Sequence, residues 1–323
     1  MSMNPHERQF NHIIAFEVSK ASLVVHTLPA DRQQTIANTP GQVRRLLKAE
    51  QRINSKLGLG PLLVVCEATG GYERYVLAEA AALGLATHRA HGSRTRLFAR
   101  FNGRHAKTDA IDARLIARYG LTPGLPLYDP PSPEQASLRL LRQRRDELQQ
   151  MLRMEANRTE HASTKRLKSS IQRHLGWLKT ELEAIETEIQ ALIESAPELE
   201  RKAKLMRSLK GVGPQTAAAI LAYLPEIGSI PKATAAAIAG LAPIAQDSGQ
   251  HNGKRHIAGG RANLRSSLYM AALVARNHNP TIRTFAMTLK ARGKPNKVVL
   301  TAVMRKIIVI LNAIVASGQP ART

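Results

Sequence analysis

The stretch Pro61–Tyr72, PLLVVCEATGGY, decides the fold class of this chain. Its residues Leu62 to Cys66 form an uninterrupted apolar run, with Pro61 before it and a Thr-Gly-Gly sequence shortly after it. A short apolar run between turn signals is typical of a strand that is buried on both faces, as in a parallel sheet covered by helices. Glu67 follows this run directly. We therefore predict an α/β sheet that has an acidic residue at the carboxyl end of a buried strand.

The residues on either side of this strand complete an α/β pattern. The segment Ile13–His26, IIAFEVSKASLVVH, contains two β-rich runs around a short polar turn, which predicts a hairpin, and a third extended piece is expected near Gln34–Ala37. Helices are predicted at 40–57, 73–83 and 93–101, with a short strand at 86–90. A hairpin or meander followed by a βαβα order predicts a ribonuclease-H-like domain over residues 1–125.

The rest of the chain is predicted to be mainly helical. Residues 123–133 contain five prolines and read as a linker. Within a predicted coiled-coil region, 126–200, one apolar seam steps by 4 and 3 residues for three heptads, and a looser seam precedes it. This pattern predicts an antiparallel helical hairpin or an oligomerising coiled coil, with a plain amphipathic helix as the alternative. A C-terminal domain, 201–323, is expected to contain helices at 266–277, 281–292 and 295–317. The seam residues are Ile171, Leu175, Leu178, Leu182, Ile185, Ile189 and Leu192, and the looser ones are Leu138, Leu141, Leu148 and Leu152.

The composition points to a polyanionic partner. The chain has 323 residues, a formal net charge of +23 and a pI near 10.8, and such an imbalance favours nucleic acid as the partner. Residues 201–323 are the most basic part, since Glu226 and Asp247 are their only acids. The single cysteine, Cys66, excludes an internal disulfide and a thiolate metal cluster. With a polar start and no apparent signal peptide, we expect a cytoplasmic protein that does not act at a membrane.

Four acids form a candidate metal site. Glu17 lies in the first predicted strand and Glu67 ends the buried one, while Asp109 and Asp112 lie one helical turn apart in KTDAIDARLIARYG, Lys107–Gly120. Like charges at this spacing destabilise a helix unless a cation lies between them. Hard oxygen ligands select Mg²⁺ or Mn²⁺. Any one of these acids is better explained as a surface residue or a helix cap, but the set favours a metal site.

A second candidate feature is the sequence Lys210-Gly-Val-Gly213 between two helical patterns. It resembles the turn of a helix-hairpin-helix element, in which glycines let backbone N–H groups approach a phosphate. A tight interhelical turn without a ligand would have the same sequence pattern. Both interpretations are kept open.

The motifs carry a family resemblance. FEVSK, CEATGGY and KTDAIDARLIA resemble, in order, the DEDD motifs of the RuvC-like domain of IS110 family insertion-sequence transposases. LKGVGPQTAAAIL, AGLAPIAQDSG and RANLRSSLYMAALVA resemble the C-terminal transposase domain of that family. The resemblance implies that Glu17, Glu67, Asp109 and Asp112 bind metal and that Ser248 is the catalytic serine. The family has Asp where this chain has Glu17, and because Mg²⁺ tolerates geometric error poorly, either the site adapts or cleavage is weakened.

The resemblance also implies a function. The chain would be an RNA-guided, site-specific DNA recombinase that cleaves and rejoins DNA through a phosphoserine intermediate. Its expected partners are an element-encoded noncoding guide RNA, donor and target double-stranded DNA, and further copies of the chain, with dimers pairing into a tetramer. The residues expected to contact nucleic acid are Lys107, Arg114, Lys210, Gly211, Gly213, Lys254, Arg255, Arg261 and Arg265.

Two other functions are compatible with the same residues. One is a metal-dependent, structure-selective DNA endonuclease of the RuvC type, which hydrolyses DNA with water and forms no covalent link to it. The other is a basic RNA- or DNA-binding scaffold in which Glu17 has degraded the metal site. The three hypotheses differ in whether strands are cleaved and whether Ser248 is required.

Overall fold

The structure is a computed structural model that describes residues 10–103, 109–244, 247–248, 251–253 and 255–321. For residues 109–111, 247–248 and 251–252 it describes the backbone only. The chain divides into two compact units, Met1–Pro130 and Pro131–Thr323. This division and the predicted boundary after residue 125 both lie in the proline-rich segment.

The first unit is built on a five-stranded sheet in the order β3-β2-β1-β4-β5. The first three strands form an antiparallel meander, whereas β4 is parallel to β1 and β5 is parallel to β4. The predicted third strand is confirmed. This mixed α/β arrangement is consistent with a ribonuclease-H-like domain. The strands are β1 (His12–Val18), β2 (Ser22–Leu28), β3 (Arg32–Ala37), β4 (Leu62–Glu67) and β5 (Ala86–Ala90).

Four helices cover the two faces of this sheet. They are α1 (Pro40–Leu57), α2 (Arg74–Ala82), α3 (Gly92–Phe101) and α4 (Asp109–Gly120). Because successive strand side chains point to opposite faces, the apolar runs of β1 and β4 contribute to two separate cores. The first core joins Ile14, Phe16, Val64 and Cys66 to apolar side chains of α1 and α2. The second joins Ile13, Ala15, Leu63 and Val65 to Phe98 of α3 and to Ile116 and Ala117 of α4. The prediction that the Leu62–Cys66 run is buried on both faces is confirmed.

The second unit is mainly helical. Among the described residues between Ile238 and Ala262 lie four strands of two residues each. They form two antiparallel pairs, of the first strand with the fourth and of the second with the third. Its helices are α5 (Pro133–His161), α6 (Lys165–Ser195), α7 (Pro197–Arg207), α8 (Pro214–Tyr223), α9 (Lys232–Ile238), α10 (Ala262–His278), α11 (Pro280–Ala291) and α12 (Asn296–Ser317). Its strands are β6 (Pro243–Ile244), β7 (Asp247–Ser248), β8 (His251–Asn252) and β9 (His256–Ile257).

The helices α5 and α6 pack against each other as an antiparallel hairpin joined by residues 162–164. Their shared core contains Leu148 and Leu152 of α5 and Leu175 and Leu178 of α6. The apolar seam is therefore used within the chain, between two consecutive helices. A role of this region in oligomerisation stays a prediction.

Within the described residues, one helix, α12, is long and apolar enough to cross a membrane by length and composition. Its most apolar window is 56% buried, and Val303, Ile307 and Leu311 are fully buried in the core that α12 shares with α8 and α10. A core helix of this kind meets the same criteria, so the finding is weak evidence for a membrane span.

Candidate functional site

Glu17 and Glu67 lie at the carboxyl ends of two adjacent parallel strands. The last register pair of β1 and β4 is Phe16 with Cys66, and the two glutamates are the next residues of their strands. Strand alternation directs both to the sheet face opposite to Phe16 and Cys66, which is the face that α4 covers. Both residues are partly buried. The structure thus places these two predicted metal ligands side by side.

The carboxylate of Glu67 is held by the first turn of α3. The hydroxyl of Thr95 donates a hydrogen bond of 2.7 Å to Oε2 of Glu67. Oε1 lies against Gly92, where a Cβ atom would come within 2.6 Å of it. Because the amino end of a helix favours negative charge, this position suits an ionised carboxylate. Sequence reasoning missed Gly92 and Thr95, whose only signal is a small and a hydroxyl residue at the start of a helix that follows a parallel strand.

The loop after Glu67 is fixed by Glu73, which is 2% exposed. Its Oε2 accepts hydrogen bonds from the backbone N–H groups of Thr69 at 3.1 Å and Gly71 at 2.9 Å, and its Oε1 accepts one from Nε of Arg89 at 3.0 Å. Burial raises the pKa of the Glu73 carboxyl, but the backbone and Arg89 hydrogen bonds outweigh it and hold the pKa below its usual value. A buried ionised acid therefore orders the backbone next to Glu67. Sequence reasoning assigned Glu73 only to a helix start.

Asp109 and Asp112 lie on the face of α4 that packs on the sheet. That face continues through the buried residues Ala113, Ile116 and Ala117 to Gly120 at its carboxyl end. Gly120 rests on the sheet so closely that a Cβ would lie 2.9 Å from both Ile13 and Val65. The two acids are therefore at the amino end of this packed face. Asp112 is partly buried, and the side chain of Asp109 lies outside the described residues.

The donor chemistry fits a hard divalent cation. Mg²⁺ is commonly bound by one or two carboxylates, with waters and substrate phosphates completing its coordination. Glu17 and Glu67 supply two carboxylates at one edge of the sheet. Among the side chains that the structure describes, no group of three or more His, Cys, Asp or Glu residues is placed to hold a metal ion. Asp109 and Asp112 as further ligands stay a prediction.

Ser248 lies in the segment between α9 and α10, where the described residues form two separate antiparallel strand pairs. In the β6–β9 pair Ile244 is opposite His256, and in the β7–β8 pair Ser248 is opposite His251. The predicted serine therefore lies in a two-residue strand whose partner strand contains His251.

Two glycines, Gly240 and Gly260, pack together where the segment with these strand pairs begins and ends. Gly240 has a φ of +66° and Gly260 a φ of +70°, and a Cβ on Gly260 would lie 2.2 Å from the backbone nitrogen of Gly240. The backbone N–H of Arg261 donates to the carbonyl of Ile238 at 2.7 Å. At these two positions, glycine is required by the close approach of two backbone segments within the protein.

Arg114, Arg261 and Arg265, which are predicted to contact nucleic acid, also contact groups inside the chain. Arg114 pairs with Asp31 at 2.5 Å, and Arg265 donates to the carbonyl of Gly259 at 2.8 Å. Arg261 makes a two-pronged ion pair with Glu226 at 2.9 and 2.8 Å. Lys210 and Arg255 are exposed, whereas Lys107 and Lys254 lie outside the described residues.

The glycines between α7 and α8 have different surroundings. Gly211 has a φ of +109°, and a Cβ there would lie 2.6 to 2.9 Å from Cβ, Cα and N of Ala275 in α10. Gly213 has a φ of −89°, and a Cβ there would meet nothing within 4 Å. Packing and a positive φ therefore require glycine at position 211. Neither requires glycine at position 213, where the space at the amino end of α8 is open.

Sequence profiles and relatives place the chain in a family. Residues 18–163 match a transposase profile named for the DEDD residues of IS110, and residues 203–286 match the profile described as transposase IS116/IS110/IS902 family. The first match begins one residue after Glu17 and includes Glu67, Asp109 and Asp112, and the second includes Ser248.

Curated relatives agree with these profiles. Pilin gene-inverting proteins of Moraxella bovis and Moraxella lacunata are each 31% identical over 227 residues, which cover 69% of this chain and 70% of the relative. An uncharacterized 43.6 kDa protein of insertion element IS110 from Streptomyces coelicolor is 33% identical over 137 residues, 42% of this chain and 33% of that protein. The chain therefore belongs to the IS110 family of insertion-sequence transposases, which rearrange DNA.

Proposed function

We propose that this transposase is an RNA-guided, site-specific recombinase that cleaves and rejoins DNA through a covalent link to Ser248. The carboxylates of Glu17, Glu67, Asp109 and Asp112 would hold Mg²⁺ or Mn²⁺. The observation that carries the proposal is the side-by-side placement of Glu17 and Glu67 at the ends of β1 and β4. A noncoding guide RNA selects the donor and target DNA, and homodimers that pair into a tetramer act on nucleoid DNA in the cytoplasm.

The proposed reaction is a reversible phosphoryl transfer. The Ser248 hydroxyl oxygen forms a bond to the scissile phosphorus, the bond to a deoxyribose oxygen breaks, and that oxygen takes up a proton. Attack by the hydroxyl of another DNA end then restores serine and closes the new strand. A bound divalent cation would neutralise developing charge on the phosphate. Thr95 and the first turn of α3 keep the Glu67 carboxylate in one orientation during both steps.

The serine also needs a proton acceptor, because an un-ionised hydroxyl is a weak nucleophile. His251 is the backbone register partner of Ser248 in the β7–β8 pair, which makes it the histidine nearest to Ser248 in the pairing. We assign His251 as this base. A His251→Asn change should slow covalent capture by roughly 10²- to 10⁴-fold and remove the pH dependence that a titrating histidine gives. An unchanged rate and pH profile would exclude the assignment.

A suicide DNA substrate tests the central proposal. The nicked duplex is incubated with protein, guide RNA and Mg²⁺, and protein–DNA adducts are separated on a denaturing gel. We expect an adduct with the native protein and with the control Ser266→Ala, whose serine is exposed on α10. We expect no adduct with Ser248→Ala, and none with Glu67→Gln if the metal site is needed for capture.

The two alternatives give different gels. Glu17 and Glu67 both lie in the first unit, which does not contain Ser248, and this location favours a hydrolytic endonuclease. Such an enzyme would nick DNA in the Ser248→Ala variant without forming an adduct. A binding scaffold would neither nick nor capture DNA, and restoring the family residue with Glu17→Asp would not produce cleavage. Either result overturns the phosphoserine mechanism.

A further inference from the structure

A basic groove of about 420 Å³ lies where the end of α10 meets α11. On α11, Arg283, Met287 and Lys290 follow one another at i, i+4 and i+7 and so share a helix face. The groove therefore combines positive charge with one exposed apolar side chain, since Met287 is 63% exposed. Its lining residues are Arg276, Asn277, Arg283, Ala286, Met287 and Lys290.

The charge of this groove is not balanced by nearby sequence. After Asp247 the chain contains 13 lysines and arginines and no aspartate or glutamate. The other acid of the last third, Glu226, is already paired with Arg261. Within the described part of the chain, no ion pair involves Arg276, Arg283 or Lys290. Three adjacent cations without counter-charges favour a polyanion as the ligand.

The groove adjoins the glycine turn between α7 and α8. Gly211 packs directly on Ala275, the residue before Arg276, and the side-chain amide of Asn279 donates to the carbonyl of Lys210 at 3.4 Å. Arg283 donates to the carbonyl of Asn277, so its guanidinium is held at the end of α10. The turn that carries the exposed Lys210 therefore lies next to the end of α10, which lines the groove.

The lining residues select among nucleic-acid ligands. None of them is aromatic, which disfavours single strands bound by base stacking. Arginine and lysine without base-reading partners are typical of contacts to a duplex backbone. We propose that the α10–α11 groove binds the phosphate backbone of double-stranded DNA. This inference rests on the action of the protein on DNA, but it does not depend on the chemistry of Ser248.

The test is the salt dependence of DNA binding. Affinity of the full chain for a duplex without a target site is measured by fluorescence anisotropy at several salt concentrations, in the Ser248→Ala background so that no cleavage occurs. The triple variant Arg276→Gln, Arg283→Gln, Lys290→Gln should make the negative slope of log affinity against log salt shallower by about 2.7, because each lost phosphate contact contributes about 0.9. The charge-retaining variant Arg276→Lys, Arg283→Lys should keep the slope.

A matched control separates the groove from net charge. Arg166→Gln, Lys168→Gln, Arg173→Gln removes the same charges from exposed positions of α6 and should leave the slope unchanged. Equal loss of slope in both triple variants, or no loss in the groove variant, would overturn the proposal. So would a larger loss for duplex RNA than for duplex DNA of the same length. If the native protein forms no covalent adduct on the denaturing gel while the groove variant has the expected shallower slope, the phosphoserine mechanism fails and the groove proposal stands.

Discussion

At the scale of single residues, the candidate site depends on position 92 being a glycine, which has no side chain. The carboxylate of Glu67 occupies the space where Gly92 would carry a Cβ, and Thr95 holds its other oxygen. This arrangement fixes the orientation of one predicted metal ligand. The position of Glu67 is therefore set by packing and one hydrogen bond, both of which can be changed without altering the acid itself.

The first prediction concerns Gly92→Ala. The added methyl group must displace the Glu67 carboxylate, and a displacement of about 1 Å in a catalytic group can cost about 10²-fold in rate. We expect DNA capture to fall by about that factor, measured as the rate of adduct formation, with unchanged circular dichroism. Gly41→Ala is the matched control, because Gly41 lies in the first turn of α1 and a Cβ there meets nothing within 4 Å. Equal activity of the two variants would contradict this account of Glu67.

A second residue-scale prediction concerns His12 at the start of β1. Its Nε2 faces Oε2 of buried Glu50 at 3.3 Å and its Nδ1 faces Oδ1 of Asn54 at 2.9 Å, so both nitrogens can donate only when the ring is protonated. Burial alone lowers the pKa of His12, but the hydrogen bonds to Glu50 and Asn54 outweigh it and raise the pKa above 6.5.

The sign of the pH effect follows from this direction. Because the folded pKa is raised, the stabilisation is fully present below pH 6.5 and is lost as the pH rises through the folded pKa. We expect the free energy of unfolding of the first unit, measured in urea, to decline over this range in the native protein. Glu50→Gln should flatten that decline, because the carboxylate that raises the pKa is gone. A decline that persists in Glu50→Gln would assign the pH dependence to other groups.

At the scale of elements, sequence signals located those elements whose boundaries depend on local chemistry. The bounds of α1 were predicted correctly because Pro40 suits the first helical turn and Gly58, in the left-handed region, ends the helix. The start of α10 was predicted at 266 instead of 262, because Arg261 gives no side-chain cap to signal it. The four two-residue strands around Ser248 were missed, since such short strands carry no periodic pattern.

The candidate site shows the same contrast between features that local sequence signals and features that have no local signal. The strand pattern predicted Glu17 within the first strand and Glu67 at the end of the buried strand. Their neighbouring positions follow from the parallel pairing of β1 with β4, which the strand pattern does not specify. Gly92 and Thr95 act through contacts with a strand that is distant in sequence, as does Glu73 in its pair with Arg89. No local pattern encodes these contacts. Pairing of Arg261 with Glu226 is of the same kind. Sequence reasoning finds the groups that do chemistry more readily than the groups that hold them.

The element-scale prediction compares the two glycines between α7 and α8. Gly211→Ala forces a left-handed backbone on alanine and a contact with the backbone of Ala275, which should destabilise the second unit by about 1–3 kcal/mol. Gly213→Ala should change stability by no more than about 0.5 kcal/mol, because nothing lies near its Cβ. Urea unfolding followed by the fluorescence of Trp177, the single tryptophan, measures both. Equal effects would mean that α10 does not pack on Gly211 as described.

At the scale of the whole molecule, the proposed chemistry is divided between two units. Residues 1–130 hold 17 basic and 10 acidic residues, and residues 131–323 hold 30 basic and 14 acidic residues. Each unit has cores of its own, with the four predicted metal ligands in the first and Ser248 in the second. Both units carry excess positive charge, so each is expected to favour a polyanion.

The last prediction uses Cys66 to report on the first unit. This single cysteine is fully buried in β4, and burial raises the pKa of its thiol to about 12. We expect a thiol reagent at neutral pH to label it at least about 10³-fold more slowly in the native protein than in urea, because the reactive thiolate forms only when β4 opens. Ser170→Cys, at an exposed position of α6, is the control and should react at once. If native Cys66 reacted as fast as that control, β4 would open freely, and Glu67 at its end could not be held in a fixed geometry beside Glu17.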